Sequence, residues 1–392
     1  MIRPADPEQF FREVLNRRPW YQPAQSSDRF SRLVDWATVD NILIRPDLDF
    51  PQVKFASDGR IFSAGLLDQQ KEARTPEAFH EELRSGSTLI IDSFEKLHRP
   101  VADVCRFTAA FLHADVDANL FASTTTNAGF ATHWDDHDVF VLQVQGSKLW
   151  RIYEPTRRSP LDRDVEVNRP PAATARFSEL LLRQGDLLYL PRGYWHNVQC
   201  PEGEQSLHLT LSARFANGLD FLQWLIDRLR AFEELRADIT TSFGDTVYLA
   251  RVWEIVSDAL ADKKLLQDFR EFKDNQSPPF SLARQPEDGL DTPIRALTSR
   301  RQSFTWLAPR ARIVPTVTSV KVITNMQMLT FSVRALPILL GLTGRQWWRL
   351  DSLLDLGKNA GASEEDVVQM LRALLEVGVV GMLASDEVGF AH

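Results

Sequence analysis

Period-2 alternation of apolar and polar positions dominates the stretch from residue 119 to residue 215. It predicts five short strands, over Asn119–Thr126, Val139–Val144, Lys148–Tyr153, Asp186–Leu190 and Leu207–Phe215. Gly129, Gly146, Gly185, Gly193 and Gly203 punctuate them as turn residues. Many short strands at close spacing imply a barrel or jelly roll. Ahead of this region, Pro7–Leu15 carries the Phe/Val/Leu stripe of a helix opened by an acidic cap. Thr88–Asp92 reads as a short buried strand, and Val101–Leu112 as an amphipathic helix.

From Gly218 the period changes to 3–4, predicting helices over Leu219–Phe232 and Asp245–Leu266. The span 274–293 holds Pro278, Pro279, Pro286 and Pro293 and reads as a linker. From about residue 300 a small α/β unit follows. There Ser352–Leu356, Glu364–Leu375 and Val377–Leu383 have a helix–helix–wing order. The expected division is 1–217, 218–295 and 296–392.

A length of 392 residues suits two or three domains. The 44% hydrophobic and 25% charged content is that of a globular protein, and no apolar run reaches the roughly 20 residues that span a bilayer. The first residues lack the basic-then-apolar order of a secretory signal. Only two cysteines occur, Cys105 and Cys200, so neither a disulfide scaffold nor a cysteine zinc site is expected. A cytoplasmic protein fits these features. The net charge of −8 disfavours adsorption to nucleic acid and suits a basic partner, although the same charge serves solubility alone.

The candidate chemistry lies in Thr132-His-Trp-Asp-Asp-His-Asp-Val-Phe-Val-Leu-Gln-Val-Gln-Gly-Ser-Lys-Leu-Trp150. On a strand His133 and Asp135 share a face and Trp134 takes the other. A second segment, Gly185-Asp-Leu-Leu-Tyr-Leu-Pro-Arg-Gly-Tyr-Trp-His196, returns a histidine. Two histidines and one carboxylate on one face form the facial triad of non-haem Fe(II) oxygenases, with positions left over for co-substrate and O₂. His-x-Asp alone is a weak signal, and the same residues could be satisfied barrel histidines beside a turn aspartate. Asp136 and Asp138 have the opposite parity to Asp135, so they are expected to face away from the metal, as solvated turn residues or an acidic rim. His137 has the parity of the pair but lies a step farther along. His208 shares a face with Thr210 and Ser212, as a neighbour of the ligands rather than one of them.

With these motifs the chain resembles the JmjC-type hydroxylases of the ribosomal oxygenase group, in the cupin superfamily. The resemblance implies a mainly β plus α chain: a double-stranded β-helix (jelly-roll) domain, a helical dimerisation region and a C-terminal winged-helix-like domain. It also implies Fe(II), with 2-oxoglutarate and O₂ as co-substrates. By the same likeness Lys148 pairs with the distal carboxylate of 2-oxoglutarate, and a buried ammonium is costly without such an anion. Asn119 and Thr210 match positions lining the co-substrate pocket, and Phe121 and Ser212 lie toward the substrate. Phe121 stands where the group often carries Tyr, which removes a hydroxyl from the pocket. The implied substrate is a His or Arg side chain of a ribosomal protein, or another basic protein or peptide, and the implied assembly is a homodimer.

Lys321, Arg334, Arg345 and Arg349 lend the C-terminal unit some positive charge. Asp351, Asp355, Glu364, Glu365, Asp366, Glu376, Asp386 and Glu387 surround its helices, which disfavours phosphate contact there. Neither a nucleic-acid nor a membrane partner is expected. Two other readings stay open: a peptide or natural-product hydroxylase with the same iron site, and a non-catalytic cupin-like binding protein.

Overall fold

The computed structural model describes residues 7–45, 52–57, 59–63, 76–126, 129–164, 171–172, 174–239, 244–276, 302–306, 308, 311–324, 328–343 and 348–383. The chain divides into two compact units, Met1–Arg214 and Phe215–His392. The proline-rich span 274–293 lies almost wholly outside the described residues, as does the acidic cap expected before Pro7.

In the first unit, ten strands form one antiparallel system. They are β1 (Trp20–Gln22), β2 (Val53–Ser57), β3 (Arg60–Ser63), β4 (Thr88–Ile91), β5 (Asp115–Ser123), β6 (Asp138–Tyr153), β7 (Phe177–Arg183), β8 (Leu187–Leu190), β9 (Trp195–Gln199) and β10 (Ser206–Arg214). The main path runs β1-β8-β6-β10-β5-β4-β2-β3, and β7 and β9 flank the far half of β6. Strand β6 therefore serves two layers. Val139–Leu142 pair with β8, while Leu149–Tyr153 pair with β9 and Ser147–Tyr153 with β7. Val139, Val141, Trp150, Ile152, Leu182, Leu188, Leu190 and Tyr194 fill the space between the layers. This is a double-stranded β-helix, built as two sheets that share a bent strand.

The bend corrects one expectation. Val139–Val144 and Lys148–Tyr153 are a single strand of 16 residues, and Gly146 lies within it rather than in a turn. Its φ is +66°, and a Cβ there would fall 1.7 Å from the Gln205 carbonyl oxygen. The partner strand shifts register close by, between Leu207 and His208. Only glycine fits where the left-handed backbone and a neighbouring carbonyl meet.

The N-terminal stripe forms one short α-turn, Pro7–Gln9, running into a π-helical turn, Phe10–Val14. Phe10 packs its ring against Trp20, Phe140 and Tyr189. The helix predicted at Val101–Leu112 spans Arg99–Leu112, with proline in its first turn, where the missing N–H costs nothing.

In the second unit the first helix, Gly218–Leu229, is closed by a capping box in which Asn217 and Asp220 exchange side-chain-to-backbone bonds. The pattern over Asp245–Leu266 predicts one helix, but two form, Asp245–Ala261 and Leu265–Gln276. Asp262 breaks the run, its side chain accepting from Lys264 N at 2.9 Å. Trp224, Leu225, Leu229, Ile255, Leu265 and Phe269 form the core of these helices. Beyond them lie two three-stranded sheets and the helices Leu336–Thr343, Leu350–Asn359 and Glu364–Glu376, around a separate apolar cluster centred on Leu339, Leu353 and Leu371. Among the described residues no helix is long and apolar enough to cross a membrane.

Candidate metal centre

His133 lies on no regular strand. It forms an isolated bridge with His196, the first N–H donating to the opposite carbonyl at 3.0 Å and the second at 2.7 Å. Asp135 follows in an irregular turn, its carbonyl accepting from Gly193 N at 3.0 Å. Parity along one strand therefore does not place this pair. A two-residue bridge and a backbone bond to the facing turn do so.

The ligand atoms of His133, Asp135 and His196 all lie within 4.8 Å of one another, with His196 Nε2 3.7 Å from Asp135 Oδ2. Both imidazoles turn Nδ1 toward a carbonyl two residues back, His133 to Ala131 O at 2.9 Å and His196 to Tyr194 O at 3.1 Å. A carbonyl only accepts, so Nδ1 carries the proton and the Nε2 lone pair faces the other two ligand atoms. Burial first, and then the neighbouring His133, push the His196 pKa down to about 4. Its ring is thus neutral near pH 7, the form that binds a metal. Two imidazoles and one carboxylate fit a divalent ion such as Fe(II). His137 stands apart from this cluster, its Nδ1 2.7 Å from Asp136 Oδ1.

Lys148 is 4% exposed, and its ammonium donates to Ser123 Oγ at 2.6 Å. Ser123 in turn meets Thr88 Oγ1 at 3.0 Å. No carboxylate of the described residues pairs with the lysine, and burial holds its pKa down at about 8. Such a cation is suited to an acidic ligand entering from the barrel. Asn119 is less available than expected, because its Oδ1 accepts from Ser93 N at 3.1 Å. Thr210 is buried in register with Asn119 on one side and Val141 on the other. Ser212 is buried, and its Oγ has no partner among the described residues.

Phe121 stacks on His208 with centroids 4.9 Å apart and planes 6° apart. The contact belongs to a closed circuit of six rings. Phe121 meets Phe130, and Phe130 meets His133. His133 and His196 stand 4.3 Å apart, and Trp150 stacks on His196 at 5.4 Å. Trp150 then meets His208 edge-on. His208 Nδ1 and Trp150 Nε1 are both buried with no hydrogen-bond partner among the described residues. Buried polar atoms without partners are costly unless a polar ligand meets them, and with the buried Lys148 ammonium they suit an acidic one.

Sequence reasoning missed Trp150 and Ser123, and period-2 spacing from Lys148 and from Asn119 places each on its interior face. It also misplaced Asp138. That carboxyl is 1% exposed, neither solvated nor part of a rim, and burial raises its pKa.

These features define a double-stranded β-helix of the cupin kind with a candidate metal centre. Residues 93–221 match the JmjC domain family. Over 233 residues the chain is 30% identical to the bifunctional lysine-specific demethylase and histidyl-hydroxylase NO66 of Drosophila persimilis, covering 58% of this chain and 33% of that protein. It is 29% identical over 237 residues to human ribosomal oxygenase 1, covering 58% and 36%. The chain thus spans about a third of the length of these curated relatives. Among solved structures, Escherichia coli ribosomal oxygenase YcfD superposes with a TM-score of 0.56 at 16% identity, over 97% of this chain and 99% of that one. YcfD in complex with cobalt and 2-oxoglutarate gives 0.54 at 16%, over 96% and 98%. The chain has the fold of the ribosomal oxygenases.

Proposed function

We propose that the chain is an Fe(II)- and 2-oxoglutarate-dependent hydroxylase of a protein side chain, with His or Arg of a ribosomal protein as substrate. The observation that carries this reading is the convergence of His133, Asp135 and His196 in a barrel that also buries Lys148, with which no carboxylate of the described residues pairs. In this reading the three ligands hold Fe(II), which with 2-oxoglutarate and O₂ supplies the oxidising power to hydroxylate a C–H bond, releasing succinate and CO₂. Lys148 binds the distal carboxylate of the co-substrate, and Ser123 orients the ammonium. The ring circuit excludes water from the ligands, while Asn119 and Thr210 line the co-substrate side and Phe121 and Ser212 the substrate side. The names of the relatives, which include a histidyl-hydroxylase and ribosomal oxygenases, support the substrate assignment.

The test is direct. The purified chain is incubated with Fe(II), 2-oxoglutarate and ribosomal proteins, and succinate and product masses are followed. Succinate that rises only with a ribosomal protein, which itself gains one oxygen atom, is expected. Turnover with cationic peptides alone would move the assignment to a peptide hydroxylase, and no turnover with bound metal would leave a binding protein.

We also infer a division at 1–217, 218–295 and 296–392, in which the middle region mediates a homodimer. Leu219, Leu222 and Ile226 are exposed at helical spacing on Gly218–Leu229, and Leu249, Trp253 and Leu260 on Asp245–Ala261. An apolar face of that extent suits a second copy. Free, buried Cys105 and Cys200 support a cytoplasmic setting.

A further inference from the structure

The strand that follows the metal loop opens on a carboxylate that the reading above does not use. Asp138 lies three residues beyond Asp135 and is buried. Its Oδ1 accepts from Arg192 N at 3.0 Å, and its Oδ2 accepts from the Tyr189 hydroxyl. The same hydroxyl accepts from Asn16 N at 2.8 Å. The residue after Arg192 is Gly193, whose N–H holds the Asp135 carbonyl. One residue further, Tyr194 offers its carbonyl to His196 Nδ1 and donates its hydroxyl to Arg17 O at 3.2 Å. Short hydrogen-bonded paths therefore lead from the turn that Asp138 grips to two of the three ligands. The N-terminal segment at Asn16–Arg17 backs the turn from the other side.

We infer that Asp138 is a positioning residue for the metal centre, clamping the loop of His133 and Asp135 to the Pro191–Gly193 turn that leads into His196. The inference rests on the metal reading and adds a residue to it. Its chemistry is specific to a carboxylate, which accepts at both oxygens and so serves a backbone N–H and a phenol together. Asparagine of the same shape keeps only one acceptor. The Tyr189 hydroxyl already accepts from Asn16, so an amide nitrogen facing it sets donor against donor.

A natural comparator lies in the same unit. Asp186 is also buried and accepts from Tyr21 Oη at 2.9 Å, Ala24 N at 2.7 Å and Arg183 N at 2.8 Å. Its side chain fastens the N-terminal segment to the barrel, but among the described residues it bonds to neither the metal loop nor the 191–196 turn. A merely structural role predicts that both aspartates behave alike.

The experiment titrates the full chain with Co(II) alone, following the visible ligand-field band. Each variant is held at a temperature where circular dichroism finds it folded. D138N is expected to weaken Co(II) binding by about 10- to 100-fold and to shift the band, the range for groups that orient metal ligands. Y189F, which keeps the Arg192 bond, is expected to lose several-fold and carries the test should D138N not fold. D186N is expected to lower the melting temperature yet bind Co(II) as the wild type does. Wild-type affinity and band in both D138N and Y189F would overturn the clamp, as would an equal loss in D186N. Failure of the wild-type chain to bind Co(II) would overturn the metal reading itself, and the clamp with it.

Discussion

His133 and His196 exchange two backbone hydrogen bonds across one antiparallel bridge while their imidazole centroids stand 4.3 Å apart. Both bridging bonds run from backbone N–H to backbone carbonyl, so neither imidazole takes part in them. Removing one imidazole should therefore leave the bridge and the fold in place. His196→Ala is expected to keep the far-UV circular dichroism of the wild type. Its Co(II) affinity should fall by at least about 100-fold, since losing a ligand costs no less than losing a group that orients one. Succinate formation should disappear with it. Calorimetric titration with Co(II) gives the first result, and a succinate assay the second.

Gly146 is the hinge that lets β6 serve two layers. Alanine there combines a positive φ with a Cβ 1.7 Å from Gln205 O, and neither backbone can yield cheaply. Gly146→Ala is expected to destabilise the chain by about 3 kcal/mol or more. The effect is read from the urea midpoint at unchanged slope. Gly203→Ala is the contrast, because its φ is +73° but nothing lies within 4 Å of a Cβ there. It should cost only about 1 kcal/mol of backbone strain.

What the chain discloses in advance depends on how local the cause is. A short apolar run placed β4, and alternation β10, to within a residue or so, because each is read from its own side chains. The His133/Asp135/His196 set was visible through the two motifs that carry it, though the reason for their convergence is a bridge that no window of sequence contains. Three other features were hidden for the same reason. Gly146 looks like a turn until Gln205 is brought against it. Asp138 looks solvated until Tyr189, 51 residues away, covers it. Asn119 looks like a free pocket amide until Ser93 takes its oxygen.

Lys148 sets stability against binding. Burial moves its pKa from 10.5 to about 8, so below about pH 8 the folded protein carries most of the cost of an ammonium held away from water. Lys148→Met removes that cost with a side chain of similar length. The metal-free variant is expected to be more stable than the wild type at pH 7, by on the order of 2 kcal/mol. The same variant should lose the thermal stabilisation that 2-oxoglutarate gives the metal-loaded wild type. Paired melting curves with and without co-substrate decide both points.

The same lysine predicts a pH dependence. Its folded pKa is depressed, so the binding-competent ammonium is present below about pH 8 and is lost as pH rises above it. Burial is the larger cause and Cys200 opposes it by raising the pKa, while Lys148 in turn helps burial keep His208 uncharged. Affinity for 2-oxoglutarate should fall about tenfold between pH 7 and pH 9, following the protonated fraction. Because metal binding changes with pH as well, the quantity to measure is a ratio, with 2-oxobutanoate as the reference ligand lacking the distal carboxylate. A ratio that stays flat across this window would remove Lys148 from the co-substrate site.

The apolar face of the helical region gives a prediction on assembly. Trp253 is 75% exposed and Ile226 64%, so in a single chain neither contributes to a core. Charged replacements there should be almost neutral to folding of the isolated chain, within roughly 0.5 kcal/mol. In a homodimer the same replacements bury an unpaired carboxylate against apolar surface, which costs several times more. Trp253→Glu combined with Ile226→Glu is therefore expected to halve the mass measured by light scattering while leaving the circular dichroism unchanged. Cobalt titration of this monomer then tells whether the metal centre depends on assembly. Because all three ligands come from one chain, its affinity should equal that of the wild type.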